Sequence, residues 1–289
     1  MKNNYDIIII GMGPAGVSAA LYAHRAGADV LVIGQDNSAL CKAEKIDNYY
    51  GVPKNTTGAQ LFDMGIAQLA DSNIDMQKEQ VVSIEWFGDF AVKTVENSYT
   101  AKSVVLATGT QRRTPKIEGL AEFEGRGVSY CAVCDGFFYR GKTVCVMGEG
   151  EYAAEEATYL KNLAEKVYIL TNGKQPQTVV DGVEYIDKKI AKISGEATVQ
   201  SVTFDDGTAV EASGVFVAIG VAGAGDFARK LGVELNGNVI VTDEKCATNI
   251  PGFYAAGDNL GGMLQIAKAV YQGAVAGGES AKFVRNQRG

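Results

Sequence analysis

Two cysteines separated by two residues, Cys131 and Cys134, are the side chains of this sequence best suited to redox chemistry. At this spacing two thiols can close a small-ring disulfide, and one sulfur of such a pair can ionise near neutral pH to the thiolate that attacks other disulfides. Half of a zinc site is the alternative interpretation, but the sequence contains neither a second cysteine pair of this kind nor a histidine pair to complete it. We therefore predict a redox-active disulfide and no metal site.

Asp135 directly follows the cysteine pair, where it is the one group placed to give or take a proton. It is also suited to capping a helix, and the two roles are compatible. The single histidine, His24, follows apolar residues on a predicted helix and is expected to pack there, which excludes a histidine-based triad. Cys145 lies in an apolar strand and is predicted to be inert, as is Cys246.

Three glycines, Gly11, Gly13 and Gly16, stand between an apolar run at residues 5–10 and an alanine-rich run at residues 15–26. The apolar run predicts a fully covered parallel strand, and the alanine-rich run predicts a helix. In such a unit the first glycine permits a tight turn, the second lets the backbone approach a pyrophosphate, and the third lets the helix pack closely on the strand. The sequence therefore predicts a dinucleotide site, with the phosphates at the helix N-terminus.

The same order of elements occurs twice along the chain, which predicts an internal duplication. In the first copy a strand, a glycine turn, a helix and a strand precede a three-stranded meander at residues 81–106, and residues 143–170 begin the same order again. The predicted fold class is α/β, with two Rossmann-like, three-layer dinucleotide-binding domains, each with a β-meander and the second inserted into the first. We expect the first domain at residues 1–113 and 244–289, and the second at residues 114–243.

The length, hydrophobic content and net charge of the chain disfavour several classes of protein. With 289 residues, 46% of them hydrophobic, the chain is long enough for two packed cores. A net charge of -7 disfavours nucleic acid as a partner, because phosphate binding needs clustered lysines and arginines. The early apolar run at residues 7–10 is too short for a signal peptide or a membrane span. We expect a cytoplasmic protein with no nucleic-acid or membrane partner.

Four motifs together resemble the bacterial low-molecular-weight thioredoxin reductases, and the likeness runs over nearly the whole chain. They are the glycine turn at residues 11–16, the Ala-Thr-Gly at residues 107–109, the cysteine segment at residues 131–138 and the Tyr-Ala-Ala-Gly-Asp at residues 254–258. The resemblance implies that the first domain binds FAD and that the substrate is a thioredoxin-like protein. It also implies a homodimer.

The resemblance further implies roles for individual residues. Asp258 would hydrogen-bond the ribityl or pyrophosphate region of FAD, and Asn48 would lie close to the flavin ring. Cys134 would be the sulfur nearer the flavin, Cys131 would complete the disulfide, and Asp135 would exchange the proton. The residues that the resemblance assigns to FAD contact are Gly11, Gly13, Pro14, Ala15, Gly16, Gln35, Leu40, Asn48, Val82, Ala107, Thr108, Gly109, Gly257, Asp258, Gln265 and Ile266.

The flavin loop of this sequence departs from that family. The family's Gly-Gly-Gln-Leu is replaced at residues 37–40 by Asn-Ser-Ala-Leu, and the arginine expected before Gln265 is Leu264. The surroundings of the flavin are therefore predicted to be altered. Cys41 directly follows the loop, so its thiol is a candidate neighbour of the cofactor.

The second glycine turn departs more strongly, because Glu149 and Glu151 stand beside the point where a nicotinamide coenzyme would place its pyrophosphate. At ~4 Å two like charges repel by roughly 1 kcal/mol in water and ~4 kcal/mol at a protein surface. In that family a His-Arg-Arg cluster binds the 2'-phosphate of NADPH. Here residues 171–175 are Thr-Asn-Gly-Lys-Gln instead. We infer that this domain has lost coenzyme binding.

This pattern is similar to that of the ferredoxin-dependent flavin thioredoxin reductases of anaerobic bacteria, so we predict reduced ferredoxin as the electron donor. An NAD(P)H-dependent thioredoxin reductase with an atypical cofactor site remains an alternative, and so does a flavin redox sensor without turnover. Clustered cations would suit an acidic ferredoxin. The candidates are Lys42, Lys45, Arg112, Arg113, Lys116 and Arg140.

Overall fold

The structure is a computed structural model that describes residues 2–35, 38–109, 115–219, 223–237 and 239–288, without the side chain of Cys134. The chain divides into two compact units. The first unit comprises Met1–Gln111 and Gly223–Gly289, and the second unit comprises Arg112–Ala222. Each unit has a hydrophobic core of its own, as the sequence predicted. The second unit is thus an insertion in the sequence of the first.

The first unit is built on a mostly parallel sheet. Its first eight elements are β1 (Asn4–Ile10), α1 (Pro14–Arg25), β2 (Val30–Ile33), α2 (Gly58–Asp71), β3 (Asp75–Gln77), β4 (Val81–Trp86), β5 (Phe90–Thr94) and β6 (Ser98–Leu106). The strand order is β3-β2-β1-β6-β5-β4, with β1 parallel to both of its neighbours. Residues 5–10 of β1 are all buried, as expected of a strand covered on both faces. The predicted meander is confirmed as β4, β5 and β6.

Local chemistry explains where the first two helices begin. α1 starts with Pro14, whose fixed φ suits the first helical position. α2 follows Thr57, whose hydroxyl accepts a 3.2 Å hydrogen bond from the amide of Gln60. The Gln60 side chain in turn accepts a 2.9 Å bond from the Thr57 amide. This reciprocal pair satisfies two amides at the start of the helix.

The second unit repeats the strand, glycine turn, helix and strand of the first, but a short strand and a short helix precede them. Its elements are β7 (Val128–Ser129), α3 (Ala132–Asp135), β8 (Thr143–Met147), α4 (Glu151–Leu160), β9 (Lys166–Leu170), β10 (Glu184–Ile186), β11 (Ile190–Gly195), β12 (Val199–Phe204), β13 (Ala209–Glu211) and β14 (Gly214–Val217). The parallel sheet has the order β10-β9-β8-β14-β7, and the meander β11-β12-β13 is a separate antiparallel sheet. In the first unit, by contrast, β6 belongs to both the meander and the parallel pairing.

The last segment returns to the first unit, as the sequence predicted. It contains α5 (Ala224–Leu231), β15 (Leu235–Asn236), β16 (Val239–Ile240), β17 (Phe253–Ala255) and α6 (Ile266–Arg288). β17 pairs in parallel with β6, and α6 packs along α1. No helix in the described ranges is long and apolar enough to cross a membrane.

The second joint between the units lies earlier than the sequence suggested. We expected it after residue 243, but residues 223–243 belong to the first unit. Hydrogen bonds account for this placement: the Glu234 amide donates to Asn249 Oδ1 at 2.8 Å, and Asn249 Nδ2 donates to the Gly232 carbonyl at 2.9 Å. The first joint was expected after residue 113, two residues beyond the observed division, and the residues around it lie outside the described ranges.

Candidate active site

The glycine turn between β1 and α1 leaves no room for larger side chains. Gly11 has a φ of +119°, and a Cβ built there would lie 2.3 Å from the Ala107 carbonyl oxygen. A Cβ on Gly16 would lie 1.8 Å from the Gly11 carbonyl oxygen. The turn therefore brings the start of α1 directly against the ends of β1 and β6, as the predicted roles of these glycines require.

The N-terminus of α1 lies at this turn without a side-chain cap. Gly13 is the N-cap residue. The first amides of any helix have no partner within the helix, and the helix dipole adds partial positive charge there. Ala15 and Gly16 stand in that first turn. The geometry fits a pyrophosphate resting on the end of α1.

Two further segments of the first unit end at the same turn. Thr108 follows β6, and its Oγ1 is buried without a hydrogen-bond partner among the described residues. Gly257 follows β17 with a φ of +82°, and a Cβ there would lie 2.9 Å from the Ala15 Cβ. The neighbouring Asp258 carboxylate lies 3.8 Å from Lys268 Nζ. A buried unpaired hydroxyl and a close backbone approach are features that a bound polar ligand would explain.

The structure also brings together two residues assigned to FAD contact, of which Asn48 is the one expected close to the flavin ring. Asn48 Nδ2 donates a 2.9 Å hydrogen bond to Gln265 Oε1, although the residues are far apart in sequence. Leu264 is half exposed. Of the remaining assigned residues, Gln35 follows β2, Leu40 lies in a short 3-10 turn, Val82 is buried in β4, Ala107 and Gly109 follow β6, and Ile266 begins α6.

Cys41 lies in the same 3-10 turn as Leu40, and Asn37 of the altered flavin loop lies outside the described residues. Cys41 is a free, partly buried thiol that packs against the core of the first unit. Its amide donates a 3.0 Å hydrogen bond to the Ser38 carbonyl. Its relation to a bound flavin ring stays a prediction.

The segment at residues 130–136, which contains the cysteine pair and is called the redox segment below, lies in the second unit around α3. Cys131 is disulfide-bonded and 2% exposed, whereas Cys41, Cys145 and Cys246 are free thiols. The side chain of Cys134 is outside the described part of the structure. The pairing of Cys131 with Cys134 therefore stays a prediction.

Ser129, at the end of β7, connects Asp135 to Cys131. Its hydroxyl donates a 2.7 Å hydrogen bond to Asp135 Oδ2 and accepts a 3.1 Å bond from the Cys131 amide. Ser129 is buried, and its strand is held by parallel pairing with β14. Sequence reasoning missed this residue, because nothing in the spacing shows that its side chain turns back towards Asp135.

Asp135 lines an open cavity of about 990 Å³ together with Ser129 and Tyr139. Asp135 makes no side-chain cap to the turn that follows it, so the helix-capping alternative is wrong. Burial raises the pKa of Tyr139, and the charge of Asp135 adds to that shift. Access to solvent is a requirement for a group that exchanges protons, and Asp135 meets it.

At the second glycine turn, between β8 and α4, the side chains make contacts with other parts of the same unit. A Cβ on Gly148 would lie 2.1 Å from the Ala218 carbonyl oxygen, which repeats the close approach at Gly11. Beyond the turn, Glu149 forms an ion pair with Lys174, and Glu151 accepts a hydrogen bond from the Thr178 hydroxyl.

The Glu149 carbonyl also accepts a 2.8 Å bond from the Gln177 amide. The loop at residues 171–178 is thus tied to the N-terminal end of α4. The sequence showed the missing arginines but not that Lys174 offsets the charge of Glu149.

The structure confirms the predictions for two of the remaining titratable residues, Cys145 and Cys246, but not the prediction for His24. Burial raises the pKa of Cys145 to about 12, and burial together with Asp243 raises that of Cys246 to about 11, so both stay protonated thiols. The expectation that His24 packs is wrong, because it lies on the exposed side of α1. No cluster of metal-ligating side chains occurs within the described residues.

The candidate docking cations lie in both units. Lys42, Lys45, Lys116 and Arg140 are exposed. Lys45 is paired with Asp47 at 2.7 Å, and the Arg140 guanidinium lies 5.5 Å from the centre of the Phe137 ring. Arg112 and Arg113 lie outside the described residues.

Comparisons with known proteins agree on the family. Residues 5–273 match the family model of the pyridine nucleotide-disulphide oxidoreductases. The atypical thioredoxin reductase TRi from Desulfovibrio vulgaris Hildenborough is 39% identical, with a TM-score of 0.92 and 98% of each chain covered. A ferredoxin-flavin thioredoxin reductase from Clostridium acetobutylicum is 33% identical, with a TM-score of 0.74 over 99% of this chain and all of that one. The thioredoxin reductase of Aquifex aeolicus is 33% identical over 89% of this chain and 85% of its own length.

The predicted α/β fold is that of these proteins, and the thioredoxin reductases of this family depend on FAD. The first unit fits this cofactor: the glycine turn and the end of α1 suit its pyrophosphate, and the buried Thr108 hydroxyl is left for a bound group to satisfy. The disulfide-bonded Cys131 fits the redox chemistry. The chain therefore belongs to the pyridine nucleotide-disulphide oxidoreductase family, as a FAD-dependent disulfide reductase of the thioredoxin reductase type.

Proposed function

We propose that this protein reduces a thioredoxin-like protein with electrons from reduced ferredoxin, which reach Cys131 and Cys134 through FAD. The observation that carries the proposal is the second glycine turn. There the chain's own side chains stand where a nicotinamide coenzyme would have to bind. These contacts support a donor other than a nicotinamide coenzyme.

The contacts at that turn oppose a coenzyme in three ways. Gln177 and Thr178 already use the Glu149 carbonyl and the Glu151 carboxylate, and a ligand would have to break these bonds at about 1 kcal/mol each. The Glu151 carboxylate stands in the first turn of α4, where a pyrophosphate would otherwise sit. No arginine at residues 171–175 is present to bind a 2'-phosphate. Lys174 is the one cation of that segment, and it is paired with Glu149.

The energetics allow ferredoxin as donor. A low-potential ferredoxin at ~-400 mV and a thioredoxin at ~-270 mV differ by roughly 130 mV, which is about 6 kcal/mol for two electrons. A protein similar to this chain, from Clostridium acetobutylicum, is named a ferredoxin-flavin thioredoxin reductase. An acidic donor would find exposed cations on each unit, such as Lys42 and Arg140.

The chain's residues have distinct tasks in this proposal. FAD, when bound, collects electrons and supplies them in pairs to the disulfide. Gly11, Gly13 and Gly16, with Pro14 and Ala15, would hold its pyrophosphate at the start of α1. The pair of Asn48 and Gln265 would position the flavin ring, and Thr108 and Asp258 would bind the polar chain of the cofactor.

At the redox segment, two electrons and two protons convert the disulfide into two thiols. As the family resemblance implies, Cys134 would be the sulfur that receives electrons from the flavin, Cys131 would complete the pair, and Asp135 would exchange a proton with the pair. A thiolate of the pair then attacks the substrate disulfide, and the second cysteine closes the Cys131–Cys134 bond as the substrate leaves as a dithiol. We expect this to take place in the cytoplasm, with the protein as a homodimer.

An anaerobic titration of the flavin absorbance tests the choice of donor. Oxidised protein is mixed with NADPH, with NADH, and with photoreduced ferredoxin. Of these three reductants, we expect only photoreduced ferredoxin to bleach the flavin band. Bleaching within seconds at sub-millimolar NADPH or NADH would refute the proposal and favour a coenzyme-dependent reductase.

A turnover assay tests whether the protein is an enzyme or a redox sensor. Photoreduced ferredoxin should support many cycles of thioredoxin reduction. Cys134→Ser should abolish them, and Cys246→Ser, which changes a cysteine outside the redox segment, should not. Reduction of the flavin without repeated reduction of thioredoxin would favour a sensor.

A further inference from the structure

One face of α4 lies along the redox segment at residues 130–136. Tyr152, Glu156 and Leu160 are spaced four residues apart, so they share this face, and their exposures are 0%, 2% and 0%. The Tyr152 hydroxyl donates a 3.3 Å hydrogen bond to the Tyr130 carbonyl. A Cβ on Gly136 would lie 3.2 Å from Leu160 Cδ2, so the far end of the segment also packs closely on this face.

Glu156 places a carboxylate in the middle of this buried face. Its Oε2 accepts a 2.7 Å hydrogen bond from the Ala132 amide. A buried carboxylate is costly, and apolar residues of similar size often replace buried charges without loss of stability. Packing alone would be served by a leucine such as Leu160. The acidic residue at this position therefore calls for an explanation based on its charge.

The Ala132 amide, which donates to Glu156, directly follows Cys131 in the chain. Amides at the start of a helical turn stabilise a thiolate on the preceding cysteine, which is how such cysteines become acidic. The Glu156 side chain takes the Ala132 amide for itself, and an ionised carboxylate there would add negative charge at the amide that a Cys131 thiolate would use. A like charge within ~4–6 Å disfavours ionisation of a neighbouring acid. An ionised Glu156 would therefore destabilise a thiolate on Cys131 after reduction.

This destabilisation acts on the redox equilibrium. Reduction of the disulfide adds two electrons, breaks the S–S bond and leaves two sulfurs, each protonated or ionised. A thiolate that is stabilised favours the reduced form, as in strongly oxidising cysteine pairs. We propose that Glu156 makes the pair of Cys131 a stronger reductant by withholding the Ala132 amide and by repelling negative charge on the sulfur. This inference rests on the redox role of the pair, but on neither the electron donor nor the substrate.

The reduction potential of the disulfide tests the proposal without donor or substrate. Holoprotein is equilibrated anaerobically in dithiothreitol redox buffers, quenched and alkylated, and analysed by mass spectrometry. The sequence has five cysteines and three of them are free thiols, so reduction adds two labels. Glu156→Gln keeps the size of the side chain and removes its charge. Glu165→Gln makes the same change at an exposed position of the same unit and is the matched control.

We expect Glu156→Gln to shift the equilibrium roughly tenfold towards the dithiol, which corresponds to a potential ~30 mV less negative. Glu156→Leu, which resembles Leu160 on the same face, should give a shift in the same direction and serves if the glutamine variant does not fold. The reduced variants should also react faster with iodoacetamide at pH 7, because more thiolate is present. If the equilibrium constant of reduction in both variants stays within twofold of the wild-type value, the proposal is wrong. A shift of equal size in Glu165→Gln would also overturn it.

Discussion

Helix α6 packs on α1 so closely that two of its glycines touch the backbone of α1. A Cβ on Gly273 would lie 2.1 Å from the Ala15 carbonyl oxygen, and a Cβ on Gly277 would lie 2.1 Å from that of Ala19. Real Cβ atoms do not approach oxygen below 3.0 Å, so Gly273→Ala must move α6 away from α1 by about 1 Å. Because Ala15 is in the first turn of α1, the displacement reaches the pyrophosphate end of the FAD site.

The size of the effect follows from two opposing contributions. Overpacking costs roughly 1–3 kcal/mol, and a rigid backbone contact places Gly273→Ala at the upper end of that range. Alanine in place of glycine returns about 1 kcal/mol of helix propensity. The net loss of about 1–2 kcal/mol should lower the melting temperature by roughly 2–8 °C for a unit of this size, and the shift of α6 should weaken FAD binding.

Gly278→Ala is the matched control, because it makes the same change five residues later in the same helix. A Cβ on Gly278 meets no atom within 4 Å, so the variant should gain about 0.5–1 kcal/mol and melt about 1–4 °C higher. FAD release on heating, followed by flavin fluorescence, and the FAD content of the purified protein give both measurements. If Gly273→Ala melts and retains FAD like Gly278→Ala, the close contact of α6 with α1 does not support the cofactor site.

Three further predictions follow from the site. Ser129→Ala removes a 2.7 Å bond to the Asp135 carboxylate, worth roughly 1.5–3 kcal/mol, so kcat for thioredoxin reduction should fall about 10- to 100-fold with little change in KM. The double variant with Asp135→Asn should be no slower than Asp135→Asn alone, and additive losses in steady-state assays would contradict the coupling. Glu151→Gln should raise the affinity for NADH about 5- to 10-fold in equilibrium dialysis, and Glu149→Gln should raise it less, because Glu149 already has a lysine partner; equal effects would argue against the charge at the turn. Burial raises the pKa of Cys145 from 9.0 to about 12, so the unfolded chain loses this proton first and the folded state loses stability between pH 9 and 12, by about 1.4 kcal/mol per pH unit. Cys145→Val should remove that slope in urea unfolding measured at pH 8 to 11, and an unchanged slope would show that the thiol ionises in the fold.

Sequence reasoning was most reliable where chemistry is local in the chain. Continuous burial along β1, the glycine turn and the helix after it are all encoded within residues 5–26, and the structure confirms these elements. The repeated order of elements predicted the second unit in the same way. The position of α5 was missed, because its place in the first unit depends on hydrogen bonds that Asn249 accepts from the Glu234 amide and donates to the Gly232 carbonyl.

The spacing of cysteines and glycines determined the class of chemistry, because a disulfide pair and a phosphate-binding turn are each built within a few consecutive residues. Tertiary structure alone decided which side chains surround them. Ser129 meets Asp135 across a turn, Glu156 meets the Ala132 amide from another helix, and Lys174 meets Glu149 across a closed loop. These contacts join residues between 6 and 25 positions apart, whose proximity depends on the packing of whole elements and not on local sequence.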